Sequence, residues 1–143
     1  MENPLLELQE YENLQEALKK AKGPVQATGT LDSQKVHLMY WLGKDGGFPW
    51  KLVVTYDDQR AREIYDDFRS FTEDVWLYPA KDLLFYSADI HGNLMTRQRI
   101  AVWRHLMEEE EGVVVTTLDG LMDHLLPLVF LKQQAVTVEN GQV

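Results

Sequence analysis

The stretch Val25-Gln26-Ala27-Thr28-Gly29-Thr30-Leu31-Asp32-Ser33-Gln34-Lys35 decides how the rest of the chain is interpreted. Its first half is a short apolar run that predicts a strand from Pro24 to Thr28. Gly29 then supplies a turn, and a helix is predicted from about Asp32 to Leu42, with Asp32 or Ser33 as its cap. A strand, a glycine turn and a helix in this order are typical of a phosphate-binding loop.

The chemistry of a working phosphate loop is missing from this stretch. Such a loop has the pattern G-x-x-x-x-G-K-[ST], in which glycine amides wrap the phosphates, the lysine holds the terminal phosphates and the hydroxyl binds magnesium. Gln34 replaces the second glycine, and Val36 replaces the hydroxyl residue. We therefore expect no catalytic residue, no metal and no bound cofactor at the degenerate loop, whose motif positions are Gly29, Thr30, Ser33, Gln34 and Lys35.

The composition is that of an acidic chain with the size of one domain. Its 143 residues carry 23 Asp and Glu against 14 Lys and Arg, which gives a net charge of −9. Because nucleic-acid affinity depends on clustered basic residues, this chain alone is not expected to grip a phosphate backbone. The absence of Cys excludes disulfides, thiolate metal sites and thiol nucleophiles. The sequence contains no long apolar span and no recognisable leader, so a cytoplasmic location is the default expectation.

Apolar periodicity divides the chain into an N-terminal helix, a main domain and a short tail. Asn3 and Pro4 are a good helix start, and an amphipathic helix packed on the domain is predicted within residues 1–23. The main α/β domain is predicted to span residues 24–138, and residues 139–143 are expected to begin a linker to a following domain. Further strands are predicted at Trp50–Thr55, Val75–Tyr78, Val113–Thr116 and Ala135–Val138. Further helices are predicted after Asp57 or Asp58, at Leu94–Glu110 and at Leu118–Leu125, with an irregular connection from Pro79 to Gly92.

Alternating strands and helices indicate the fold class. They imply right-handed crossovers and a mostly parallel sheet flanked by helices, so the fold class is α/β. The continuous apolar run Trp50–Thr55 is typical of a parallel strand buried on both faces. The next helix has its apolar residues on one face, which predicts that this face packs on the sheet. These apolar residues are Ala61, Ile64, Tyr65, Phe68 and Phe71.

Two pairs of possible metal ligands need to be considered. Asp57 and Asp58 follow a strand and could hold magnesium, but helix capping already accounts for them. Asp89 and His91 resemble part of a metal site, but no second His lies nearby and the chain has no Cys. A helix cap and a surface loop are therefore the preferred interpretations.

The most notable basic cluster is formed by Arg97, Arg99 and Arg104, close to His105. It could contact a nucleic-acid strand or another domain. The acidic run Glu108–Glu111 follows within one or two helical turns and would cancel much of this positive field. A salt-bridged helix surface is therefore the preferred interpretation.

Three segments together resemble one protein family. They are the loop VQATGTLDSQKVHL, the strand and helix KLVVTYDDQRAREIYDDFRSF, and the run LYPAKDLLFY that leads through RQRIAVWRHL to GVVVTTLDGLMDHLLP. In order and spacing they are similar to the N-terminal domain of bacterial transcription-repair coupling factors (Mfd). That domain resembles the first domain of the excision-repair helicase subunit UvrB. The resemblance therefore implies a P-loop NTPase or helicase-like fold.

The chain departs from UvrB at two places. Gln34 and Val36 break the phosphate loop, and the stretch between Tyr78 and Arg97 is too short and too poor in Tyr for the DNA-engaging hairpin of UvrB. Both departures agree with the coupling factors, whose UvrB-like module is non-catalytic.

The resemblance implies a parent protein active in DNA repair. Such a protein recognises RNA polymerase stalled at a lesion, translocates on DNA with ATP and Mg in its distant motor domains, and recruits UvrA. This chain would be a non-enzymatic scaffold that positions the following UvrA-binding domain and helps to mask it against the C-terminal domain.

Two alternatives remain open at the level of sequence. The chain could be a nucleotide-binding or hydrolysing domain that uses Gly29, Thr30 and Lys35 in a nonstandard loop. It could also be a small interaction protein that docks through the helix Asn3–Lys22.

Overall fold

The computed structural model describes residues 2–80 and 89–122 of the chain. A 3-10 turn, Pro4–Glu7, precedes the first helix, and three parallel strands alternate with the helices that follow. The helices are α1 (Gln9–Lys20), α2 (Asp32–Asp45), α3 (Asp58–Phe68), α4 (Asp89–Glu108) and α5 (Leu118–Met122). The strands are β1 (Trp50–Thr55), β2 (Val75–Tyr78) and β3 (Gly112–Thr117). The predicted α/β class with a parallel sheet is confirmed.

Among the described residues, the last strand in sequence lies at the centre of the sheet. The strand order is β1-β3-β2, and every residue of β3 is buried. The register pairs Leu52 of β1 with Val114, and Val75 of β2 with Val113. Because β3 is covered on both faces and paired on both edges, its unbroken apolar character follows from its position.

Each face of the sheet has its own apolar cluster. On one face, α2 and α3 cover β3, and the buried residues of this cluster are Val36, Ala61, Ile64, Phe68, Val75, Val113 and Val115. On the other face, Val102 of α4 meets Tyr78 and Val114, with partly buried Trp50 and Trp76 beside them. The predicted apolar face of α3 is confirmed, since its Ala61, Ile64 and Phe68 lie in the first cluster.

The prediction of a strand at residues 24–28 is wrong. This segment lies outside the three-stranded sheet and forms no strand. Ala27 and Thr28 instead line a groove with residues of α1 and α2. The local apolar run favours extended backbone, but a strand also needs a hydrogen-bonded neighbour, and the described sheet offers none here.

The strand β1 has the predicted bounds but not the predicted burial. It is an edge strand among the described residues, and its side chains of Leu52 and Val54 are 58% and 44% exposed. The α4 side of the sheet is therefore covered over β2 and β3 more completely than over β1.

Other helix boundaries differ from expectation. The first predicted helix is interrupted at Leu8, where a 3-10 turn gives way to α1, although Asn3 caps the turn as predicted. Residues 89–92 belong to α4, which therefore begins five residues before the predicted Leu94. The predicted strand Ala135–Val138, the linker 139–143 and the end of the last helix lie outside the described residues. No helix in the described ranges is long and apolar enough to cross a membrane.

Candidate functional site

The corner formed by the degenerate loop and the first turn of α2 is the site that sequence reasoning singles out. Gly29 has a φ of +86°, in the left-handed region that favours glycine, so the predicted need for a permissive residue at this turn is confirmed. The helix α2 then begins at Asp32, with extended backbone at Leu31. The turn is therefore present, but the strand expected before it is not.

The side chain of Gln34 turns back onto the start of α2. Its Oε1 accepts a hydrogen bond from the backbone N–H of Leu31 at 3.2 Å. Leu31 has no acceptor in its side chain, so this is half of a capping box. The predicted cap by Asp32 or Ser33 is wrong, because Leu31 holds the N-cap position and both residues already belong to the helix. One of the backbone donors that a helix N-terminus offers to an anion is thus occupied by Gln34.

Lys35 is paired within its own helical turn. Its Nζ lies 2.7 Å from Oδ1 of Asp32, and Nη2 of Arg60 lies 3.4 Å from the same oxygen. Arg60 in turn pairs with Glu63 at 2.9 Å. The carboxylate of Asp32 therefore lies between Lys35 and Arg60, the two cations with which a bound phosphate would otherwise pair.

The electrostatics of this cluster follow from its geometry. The hydrogen bond from Lys35, then the charges of Lys35 and Arg60, hold the pKa of Asp32 below its usual range. The carboxylate is 70% exposed, so solvent screens these pairs and each stabilises the fold only slightly. The main effect of the cluster is to keep the Asp32 carboxylate ionised, and its contribution to the stability of the fold is small.

The same edge of the molecule carries the start of α3. Asp57 is its N-cap, and its Oδ1 accepts a hydrogen bond from the backbone N–H of Arg60 at 2.7 Å. The prediction that Asp57 or Asp58 caps this helix is confirmed. Each of the two helix N-termini at this corner is thus supplied with a hydrogen-bond acceptor from a side chain of the chain itself.

The cap of α3 gives the first testable prediction. Replacing Asp57 by Ala removes the acceptor for the Arg60 amide, and we expect the free energy of unfolding to fall by about 0.5–2 kcal/mol. Asp58→Ala is the matched control, because it removes the neighbouring charge from the same helix end without removing the cap. Urea unfolding of both variants measures the difference, and equal losses would contradict the capping role.

The arginine cluster of α4 is divided between the surface and the interior. Arg99 is buried; its Nη1 donates to the backbone oxygen of Pro79 at 2.9 Å, and its guanidinium lies 4.3 Å from the ring centre of Tyr78. Arg104 pairs with Glu108 at 2.8 Å on the exposed face, and Arg97 is exposed. Arg99 therefore ties α4 to the end of β2, and the three arginines do not form one exposed patch.

A second cleft lies at the opposite edge of the sheet. Its volume is about 310 Å³ and its lining includes Tyr40, Phe48, Lys51, Asp74 and Glu111. It sits beside the first residues of the strands, whereas ligands of open parallel sheets bind beyond the carboxyl ends of the strands. Within residues 2–80 and 89–122, no group of three or more acidic or His side chains is placed to hold a metal ion.

Sequence reasoning missed the role of Asp45. Its Oδ2 accepts hydrogen bonds from Asn3, Tyr11 and Gln15, which are 30–42 residues away in the chain. Burial, followed by the hydrogen bond to Asp45, raises the pKa of the Tyr11 hydroxyl to about 12. No local pattern signals this cluster, because its members come together only when α1 meets the end of α2.

Comparison with known proteins adds no relative to this geometry. No family model matches the chain, and no significant match is found among curated proteins or among solved structures.

Proposed function

We propose that this chain is a non-catalytic, UvrB-like scaffold domain of a bacterial transcription-repair coupling factor. The single observation that carries the non-catalytic part is the internal pairing of the corner. Gln34 occupies a backbone donor of the α2 N-terminus, and Asp32 sits between Lys35 and Arg60. A phosphate would have to displace this carboxylate to pair with Lys35, and the Gln34 side chain to reach the Leu31 N–H.

Further support comes from the arrangement of the three segments that resemble the family. The loop segment supplies the Gly29 turn and α2, the second segment forms β1 and α3, and the third contributes β2, α4 and β3. All three strands are parallel. These features agree with a helicase-like domain, although the unpaired segment 24–28 departs from the expected P-loop topology.

In the proposed parent protein, this domain does not perform the chemistry. ATP and Mg act in distant motor domains, and contact with RNA polymerase, DNA and UvrA is made through other parts of the protein. The domain holds the following UvrA-binding domain in place and helps to mask it against the C-terminal domain. A net charge of −9 suits a supporting role of this kind better than direct contact with DNA.

A second candidate function is nucleotide binding through a nonstandard loop. Two observations favour it: Gly29 keeps a left-handed backbone conformation, and Lys35 remains 50% exposed in the first turn of a helix. In this alternative a nucleotide would take the place of the Asp32 carboxylate on Lys35.

Calorimetric titration with Mg-ATP separates the two candidates. We expect no binding by the native chain and none by Lys35→Ala, because Lys35 and one backbone donor of the α2 N-terminus already have partners within the chain. Asp32→Ala is a further variant, in which Lys35 loses its partner while Arg60 keeps Glu63 and Gln34 keeps its hydrogen bond to Leu31. It too is expected to bind no nucleotide, because the second glycine and the magnesium-binding hydroxyl of the motif are still missing. Sub-millimolar binding by the native chain that Lys35→Ala abolishes would overturn the scaffold proposal in favour of the second candidate.

The assignment to the coupling factors has its own experiment. Sequencing the genomic reading frame beyond Val143 is expected to reveal a further UvrB-like domain, an RNA-polymerase-binding domain and complete helicase motifs. A stop codon directly after Val143 would contradict this and would favour a small interaction protein.

A further inference from the structure

Asp45 occupies an unfavourable position for a carboxylate. It is the last residue of α2, where the partial negative charge of the helix C-terminus disfavours an anion. Its Oδ2 accepts from Asn3 Nδ2 at 2.6 Å, from the Tyr11 hydroxyl at 2.8 Å and from Gln15 Nε2 at 3.2 Å. The three hydrogen bonds offset the unfavourable position. The carboxylate is therefore stabilised by its donors, and the donors are held in place by the carboxylate.

All three donors belong to one segment, residues 3–20, which we call the N-terminal strap. Asn3 also caps the 3-10 turn through its Oδ1, which accepts from the backbone N–H of Leu5 at 2.8 Å. Tyr11 and Gln15 lie one helical turn apart on α1, so one face of this helix points to Asp45. A single carboxylate oxygen thus holds both parts of the strap.

Apolar packing holds the strap only weakly. In residues 2–20, Asn3 and Tyr11 are the buried side chains, while Leu6, Leu8 and Leu18 are 64%, 49% and 41% exposed. A groove of about 400 Å³ remains between the strap and α2, lined by side chains that include Leu14 and Leu38. The apolar stripe of α1 is therefore not closed onto α2 in the way that a core helix is.

The strap has far fewer buried apolar side chains than the sheet and the helices that cover it. The core clusters are built from α2, α3, α4 and the three strands, and their buried members include no residue of the strap. Segments with few buried apolar contacts open with a lower free energy than the core and open as units. The polar contacts to Asp45 are then a large part of what keeps the strap closed.

We propose that the N-terminal strap is a separately opening element latched by Asp45. When the latch is released, α1 leaves α2 while the sheet stays folded. Opening uncovers the surface of α2 that carries His37 and Leu38 and frees the apolar stripe of α1 that carries Leu8 and Leu14. This inference is independent of the function proposed above, because the hydrogen bonds to Asp45 involve no residue of the loop corner.

Hydrogen exchange followed by mass spectrometry tests the latch on the full chain. In Asp45→Ala we expect the amides of α1 to exchange at least about tenfold faster, since hydrogen bonds to a charged group are lost. The amides of β3 are expected to stay within about twofold of the native chain, because the core clusters are unchanged. Tyr11→Phe removes one donor and keeps the ring, so its effect on α1 is expected to be smaller and in the same direction.

Two further variants serve as controls. Asp67→Ala removes an exposed carboxylate from α3 and is expected to leave exchange in α1 unchanged. Asp45→Asn keeps one oxygen acceptor without the charge and is expected to fall between the native chain and Asp45→Ala.

Three results would overturn the latch. The first is an increase in α1 exchange below about threefold in Asp45→Ala, which is too small for charge-assisted bonds. The second is an equal acceleration of α1 and β3, which would make the strap part of the global fold. The third is native α1 that already exchanges like an unstructured peptide.

Discussion

Replacing Phe68 by Ala is expected to lower the free energy of unfolding by about 3–5 kcal/mol. Phe68 is 1% exposed at the end of α3, and it belongs to the cluster that also contains Val36 and Val115. Its removal loses the transfer free energy of the ring and leaves a cavity between α2, α3 and the sheet. Because small domains are stable by only about 5–15 kcal/mol, this single change is expected to consume a large share of the stability.

Urea unfolding followed by far-UV circular dichroism measures this loss. Phe48→Ala is the matched control, because it makes the same change in a side chain that is 56% exposed. We expect the control to cost less than about 1 kcal/mol, since little apolar area is returned to water. Similar unfolding midpoints for the two variants would show that the α3 face of the sheet is not the main core.

Gly112→Ala is expected to lower the free energy of unfolding by about 1–3 kcal/mol through overpacking. Gly112 begins β3 and pairs with Trp50. An added Cβ would clash with Cζ3 of Trp76 and would lie 2.8 Å from Cζ3 of Trp50, closer than carbon atoms can approach. The two indole rings, with centroids 5.6 Å apart and planes at 38°, would have to separate.

The tryptophan pair also provides the signal for this experiment. Fluorescence-detected unfolding in urea should show a lower midpoint for Gly112→Ala, and the native spectrum should change because Trp50 and Trp76 move. Gly23→Ala is the control: its added Cβ meets no atom within 4 Å and its φ is not positive. If both alanine variants unfold at the native midpoint, the prediction that a Cβ at residue 112 overpacks against the two indoles is wrong.

Sequence periodicity correctly predicted the elements that depend on short-range patterns of apolar and capping residues. The strands at 50–55 and 75–78 have the predicted bounds, and β3 extends the predicted 113–116 by one residue at each end. The helix α3 shows its apolar face in its own spacing, and its cap at Asp57 is a local hydrogen bond. Information of this kind is short-range, so it can be read without knowing the topology.

The failures share a different physical cause. Residues 24–28 have the composition of a strand but lack a sheet neighbour, and neighbours are set by topology. The edge position of β1 likewise depends on the order of strands and not on its own residues. Sequence alone could not indicate that Arg99 turns inward to Pro79, because neighbouring arginines on a helix look alike until a partner is placed.

At the candidate site, the sequence alone indicated only which residues of the phosphate-loop motif are replaced. The missing glycine at Gln34 and the missing hydroxyl at Val36 could be read directly from the motif. The pairing of Asp32 with Arg60 joins the starts of two helices that are 28 residues apart, and it required the fold. What the structure adds is therefore the internal partners of Gln34 and Lys35.

The strand order also limits when the sheet can form during translation. Within the described sheet, β1 and β2 do not pair with each other; each pairs with β3, which is the last of the three to be synthesised. The described sheet can therefore be completed only after Thr117 has left the exit tunnel. Until then β1 and β2 lack the neighbour that they have in the described sheet, and we expect their unpaired edges to be more open to pairing with other chains than in the folded protein.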